Sequence, residues 1–250
     1  MSGHSKWSTI KRKKAAQDAK RGRLFTKLAR EITIAAREGG GDPDSNFNLR
    51  LAVDRAKMGN MPKDNIDRAI KRGTGELKGR ELEELYYEGY GPNGVAMLIQ
   101  VLTDNRNRTV SDVRRVLSKH GGNLGAAGCV AWLFDPKGYV TIEVGDEGAE
   151  ELALLAIEAG AEDIETDGQL LEIYIDPASL QRVKGALEQQ GFSIESQLSM
   201  IPKSVTSLSL EKTMQTMRLV DALEGLDDVQ QVYSNLDISD EVMVEYEAAA

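Results

Sequence analysis

The order in which the hydrophobic pattern changes period between residues 139 and 197 most constrains how this chain can fold. A strand-like apolar run (Tyr139–Val144) gives way to helical periodicity (Glu147–Ala159), then to two more strand-like runs (Asp163–Thr166, Leu170–Ile175). A second helical stretch (Pro177–Gln190) and a last strand (Phe192–Gln197) follow. Alternation with a period of two marks a strand and recurrence near 3.6 marks a helix. The resulting order, βαββαβ, is the ferredoxin-like arrangement.

Incomplete pieces stand on either side of it. Upstream, Val95–Leu102 is a continuous apolar run of the kind a buried strand shows. Thr109-Val110-Ser111-Asp112 reads as a helix cap opening a helix to about His120, and Val130–Phe134 reads as a second strand headed by a buried Cys129. Downstream come a helix (Ser209–Leu223) and a strand (Val229–Ser234). Joined, these pieces make one domain interrupted by the βαββαβ unit.

Residues 1–80 carry only helical signals. A polar arm (1–13) precedes a helix from about Lys14 to Glu38, with Phe25, Leu28, Ala29, Ile32 and Ala36 at helical spacing. Gly39-Gly40-Gly41-Asp42-Pro43 stops it. A second helix spans Phe47–Met58, and a third starts at Pro62 and ends at Gly73, before a connector to Arg80. The expectation is an α+β protein of three domains. These are a basic three-helix domain with a flexible arm (1–80), a discontinuous α+β middle domain (81–135 and 204–240), and an acidic ferredoxin-like domain inserted at 136–203.

Charge separates these parts. Residues 1–80 hold 20 of the chain's 31 Lys and Arg but 9 of its 40 Asp and Glu, a balance of +11 within a chain of net charge −9. A basic segment beside acidic domains points to a polyanion such as nucleic acid. The cations Lys6, Lys11, Arg12, Lys13, Lys14, Lys20, Arg21, Arg23 and Lys27 run along the arm and first helix, and Lys63, Lys71 and Arg72 extend them onto the third. Lysine supplies point charge to phosphates and arginine paired donors. Trp7, beside Lys6, either wedges against a base or sugar or packs on the protein. With Phe25 and Phe47 read as helical core, aromatics are too few for a stacking platform, which favours backbone and groove contact. On the helix opening near Thr109, Arg108, Arg115 and Lys119 share a face; they extend the phosphate track or form salt bridges.

Other classes find little support. One cysteine and two histidines, His4 and His120, leave no multi-cysteine or histidine-based metal site and no credible catalytic triad. The Gly-rich runs 89–94 and 121–125 precede strands, whereas phosphate-binding loops follow a strand and open a helix, so both read as turns requiring positive φ. No run approaches the roughly 18 apolar residues of a membrane span. The expectation is a protein without enzymatic activity, catalytic residues, metal, cofactor or small-molecule substrate, and without membrane association.

Several motifs carry a resemblance. Gly3-His4-Ser5-Lys6-Trp7, Phe25-Thr26-Lys27-Leu28, Asn60-Met61-Pro62-Lys63-Asp64-Asn65-Ile66, Tyr87-Glu88-Gly89-Tyr90-Gly91-Pro92, Leu102-Thr103-Asp104-Asn105-Arg106-Asn107-Arg108-Thr109 and Gly121-Gly122-Asn123-Leu124-Gly125 are similar to those of the YebC/PmpR family. The likeness runs nearly end to end and is weakest in the acidic insert. Cys129, where serine is expected, and Phe47 depart from the family pattern. The resemblance implies a three-domain cytoplasmic protein, bacterial since the motif at Gly3 leaves no room for a leader, that regulates transcription by binding DNA. It implies, as the alternative, a competing role on the ribosome, as in mitochondrial translational activators, including relief of stalls at proline runs. The partner expected is therefore duplex DNA or ribosomal RNA. A third possibility is an interaction protein whose basic domain binds acidic protein surfaces.

Overall fold

The computed structural model describes residues 18–79, 81–144, 148–167, 170–190, 194–239, 242, 243 and 245. The arm, with Lys6, Trp7, Lys11, Arg12, Lys13 and Lys14, lies outside the described residues. The protein is an α+β molecule with an N-terminal helical segment followed by sheet-containing domains.

Helices α1 (Asp18–Gly39), α2 (Phe47–Met58) and α3 (Lys63–Gly73) enclose a core of Leu28, Ile32, Ala36, Leu49, Ala52, Ala56, Ile66 and Ala69. The connections explain their sequences. Asn46 caps α2 by accepting from Leu49 N–H at 3.0 Å, while its amide donates to the carbonyls of Ala35 at 2.7 Å and Gly40 at 2.8 Å. A Cβ on Gly39 would stand 2.6 Å from that amide, so glycine lets the cap close. Asn60 takes φ 56°, which drops Met61 into the core before Pro62. Pro62 is the cap residue, one position ahead of the helical place expected for it.

Beyond the connector, β1 (Glu83–Tyr90) and β2 (Ala96–Thr103) form an antiparallel hairpin in register Glu83↔Thr103 to Tyr90↔Ala96. The sheet continues with a short β3 (Asn123–Leu124) beside β1 and with β9 (Val229–Ser234) antiparallel to β2. Helices α4 (Arg106–Lys119) and α7 (Leu210–Glu224) supply Val113, Leu117, Leu219 and Leu223 to its core. Strand β9 thus completes, from more than a hundred residues downstream, the sheet that β1 and β2 begin.

Three expectations need correction here. No strand was expected at 83–90, because exposed Glu83 and Glu84 and the small Gly89 hide it; pairing with β2 makes the strand. Gly89 is where β3 closes in, since a Cβ there would stand 2.6 Å from the carbonyl oxygen of Asn123. Second, α4 opens at Arg106, capped by Asn105, which accepts from Arg108 N–H at 3.1 Å. Thr109, expected as the cap, is a buried helical residue bonded elsewhere. Third, of the strand expected over Val130–Phe134 only Phe134 is in one, as the first residue of the next strand. The buried Glu88 carboxylate captures the N–H groups of Gly128 (2.6 Å), Val130 (2.7 Å) and Ala131 (2.8 Å), so these donors never reach a ladder. A single helical turn at Ala131–Leu133 follows, and Cys129 is half-buried ahead of it. The glycine runs behave as turns, with φ of 81° at Gly94 and 79° at Gly121.

The inserted unit, Leu133–Lys203, contains β4 (Phe134–Glu143), α5 (Ala149–Glu158), β5 (Ala161–Asp167), β6 (Leu170–Ile175), α6 (Leu180–Glu188) and β7 (Glu195–Pro202). Its strands lie in the order β5-β6-β4-β7, every pair antiparallel, the ferredoxin-like topology. Val140, Ile142, Leu171, Ile173 and Ile175 form one face, buried with Leu152, Ala156, Leu180 and Val183. Glu172 is buried on the other, accepting from the hydroxyls of Tyr139 at 2.9 Å and Tyr174 at 3.3 Å. The ends of the insert meet where Lys203 N–H donates to the Leu133 carbonyl at 2.8 Å. A short β8 (Thr206–Ser207) pairs with β10 (Leu236–Asp237).

Candidate nucleic-acid interface

The cations of α1 divide by what they touch. The last turn of a helix leaves carbonyls without intrahelical partners and carries the negative end of the dipole. Lys27 donates to the Glu224 carbonyl at 2.7 Å and Arg23 to that of Gly225 at 3.4 Å, both at the end of α7. Arg30 donates to the carbonyls of Leu102 and Asp227 and pairs with the Asp228 carboxylate at 2.9 Å. These three cations, one turn apart on α1, dock the helical segment on the sheet domain. Lys20 and Arg21 lie on the first turn of α1.

Asp228 is the hub of that docking. It accepts from Thr109 Oγ1 at 2.6 Å and from Arg108 at 2.7 Å, while Arg108 also pairs with Asp104 at 2.8 Å. Burial pushes the Asp228 carboxyl up, but the hydrogen bonds from Thr109 and Arg108 and the charges of Arg30 and Arg108 outweigh it and hold the group below the usual carboxylate range. The motif 102–109 is therefore a scaffold for one buried carboxylate. The stripe on α4 largely follows the salt-bridge alternative: Arg106 pairs with Glu83, Arg108 with Asp104 and Asp228, and Arg115 with Asp112 at 2.9 Å. Glu88 behaves like Asp228: burial raises it, three backbone N–H groups lower it, and the net shift is downward.

On α3 the arrangement differs. Lys63, Arg68, Lys71 and Arg72 are exposed. Arg68 turns two donors to its own helix, on the Asp64 carbonyl and Asn65. For Lys63, Lys71 and Arg72, no hydrogen bond or ion pair to another side chain occurs among the described residues. Beside them, between α1, α3 and the segment after α3, opens a cleft of about 890 Å³. Phe25, Ala29 and Met61 line it with apolar atoms, and Arg68, Arg72 and Lys78 line it with cations. Phe25 is only half-buried, so it serves the core and this cleft together. Sequence reading missed the cleft because it treated residues 73–80 as a spacer; the one signal available was Lys78 among glycines.

A basic three-helix segment followed by two α+β domains, one inserted in the other, defines the class of this protein. Residues 5–76 match the family model for the TACO1/YebC protein N-terminal domain, and residues 82–236 match that for the TACO1/YebC second and third domain. The chain belongs to the TACO1/YebC family. It is similar to a probable transcriptional regulatory protein of Desulforapulum autotrophicum, 57% identical over 243 residues covering 97% of this chain and 98% of that one. A relative of the same description from Rubrobacter xylanophilus is 57% identical over 247 residues, covering 98% and 99%. Among solved structures, a conserved hypothetical protein, Aq1575 of Aquifex aeolicus, superposes with a TM-score of 0.81 at 49% identity, over 89% of this chain and 93% of that one. No helix among the described residues is long and apolar enough to cross a membrane.

Proposed function

We propose that this chain regulates gene expression by binding the phosphate backbone of nucleic acid through its helical segment, acting in the cytoplasm by binding rather than by catalysis. The observation that carries this reading is the contrast between the cations of α1 and α3. Arg23, Lys27 and Arg30 are consumed by protein carbonyls and Asp228, whereas Lys63, Lys71 and Arg72 project from α3 without protein partners among the described residues. Leaving three cations unpaired on one short helix favours a polyanion as partner. Lys6, Trp7, Lys11, Arg12, Lys13, Lys14, Lys20 and Arg21 extend the surface along the arm and the start of the first helix, and Arg23 and Lys27 hold α1 in position for it. Relatives named as probable transcriptional regulators support duplex DNA as the partner.

A second reading, a translation factor acting on ribosomal RNA, is favoured by the apolar lining of the cleft, which backbone contact alone does not require. Native lysate resolved on a sucrose gradient separates the two. Co-migration with ribosomes that survives DNase and dissolves in high salt supports RNA; heavy fractions lost on DNase treatment support DNA. Replacement of Lys11, Arg12, Lys13 and Lys14 by alanine weakens either complex and flattens its salt dependence. An unchanged salt slope overturns the assignment of the arm.

A further inference from the structure

The cleft beside α3 has a built wall and two kinds of lining. Gly73 seats the end of α3 flush on α1, since a Cβ there would lie 2.4 Å from the Thr33 carbonyl oxygen. The chain then reverses through Gly75, at φ 83°, and Leu77 N–H bonds back to the Lys71 carbonyl at 3.0 Å. This turn fixes the segment after α3 as the opposite wall and carries Lys78 to the mouth. Arg72, also on the lining, runs its Cγ and Cδ past Gly79, each 3.8 Å from where a Cβ there would lie. Neither Arg72 nor Lys78 has a protein partner among the described residues. Of the two carboxylates on the lining, Asp104 is paired with Arg108 at 2.8 Å and Glu81 is exposed.

Backbone contact with an unbroken duplex needs cations and makes no use of the part of Phe25 that the core leaves open to the cleft. An apolar bed beside guanidinium and ammonium groups matches the two halves of a nucleotide, a base with a π-face and a phosphate. The volume of the cleft falls within the range of small-ligand sites. We propose that this cleft receives one unpaired nucleotide of the bound strand, its base against Phe25 and Ala29 and its phosphate on Arg72 and Lys78. The inference rests on the nucleic-acid reading above and deepens it: the protein prefers a bulged or single-stranded position to continuous duplex.

Three hairpins of equal charge, each closed by a non-nucleotide linker so that no loop base is unpaired, test this as RNA and as DNA: one with a single unpaired nucleotide, one abasic at that position, and one fully paired. Affinities are measured at one salt concentration. The full-length protein is expected to bind the bulged hairpin at least about fivefold tighter than the other two, the low end of what stacking one base supplies. Thr26→Trp, at an exposed position on the lining, fills the cleft and removes that preference while leaving paired-hairpin affinity unchanged. Equal affinity for all three hairpins overturns the inference, as does a preference that survives in Thr26→Trp. The abasic comparison needs no variant and decides the matter even if that substitution impairs folding. A free nucleoside monophosphate that occupies the cleft more tightly than the bulged hairpin also overturns it. Steeply salt-dependent binding without preference defeats the cleft alone; no binding at physiological salt defeats the nucleic-acid reading as well. The RNA and DNA series identify which strand supplies the nucleotide.

Discussion

Replacing Asp228 with alanine removes the acceptor that Arg30, Arg108 and the buried hydroxyl of Thr109 share. Removing one partner of a buried ion pair typically costs about 3–5 kcal/mol; because Arg108 is partly exposed and keeps Asp104, D228A is expected to lower the free energy of unfolding in urea by about 3 kcal/mol. The same carboxylate gives the stability a pH dependence. Its folded pKa lies below the unfolded value of about 3.9, so its stabilisation is fully present above that value and is lost as pH falls through the folded pKa. Thermal melts below about pH 4 are therefore expected to show a steeper acid loss in the wild type than in Asp228→Asn; parallel acid limbs would contradict the role assigned to this group. Glu88 acts similarly at shorter range. Glu88→Ala orphans three N–H groups, and hydrogen exchange is expected to accelerate at Gly128, Val130 and Ala131.

At the scale of elements, what the sequence shows and what it hides differ by the reach of the interactions. Helix α2 is legible to its end residues, because Asn46, the apolar face and Gly59 all act within a few residues of it. Strand β9 is equally clear, because its β-branched and aromatic residues Val229, Val232 and Tyr233 favour a strand. Strand β1 is not, since its acidic and glycine residues argue against a strand and only the ladder to β2 makes one. The start of α4 was misplaced for the complementary reason: Thr109 has a capping residue's chemistry, but its hydroxyl is claimed by Asp228, far along the chain. Close packing of elements yields a direct prediction. Gly73→Ala forces a Cβ to within 2.4 Å of a backbone oxygen of α1 and is expected to destabilise by about 1–3 kcal/mol despite alanine's better helix propensity. Gly185→Ala, in α6 with nothing within 4 Å of the added carbon, is expected to stabilise by about 0.4–1 kcal/mol in the same denaturation assay.

For the whole molecule, the charge split between residues 1–80 and the remainder anticipates a basic segment attached to acidic domains, but not the use each cation is put to. Two outcomes follow. The double substitution Lys71→Ala with Arg72→Ala is expected to reduce the slope of log affinity against log salt by about 2, leaving the urea midpoint nearly unchanged. Lys27→Ala, which loses its bond to the Glu224 carbonyl, is expected to lower the urea midpoint and leave the slope intact. The reverse pattern would exchange the roles of α1 and α3. Local information determined which segments are helices, the βαββαβ order of the insert and the sign of each domain's charge, because periodicity, caps and formal charge are properties of neighbouring residues. Tertiary structure decided which cations dock α1, which remain on α3, and where a cleft opens beside them. A lysine looks the same in sequence whether it meets a helix-end carbonyl or a phosphate; only the packing of distant segments determines which of the two it can reach.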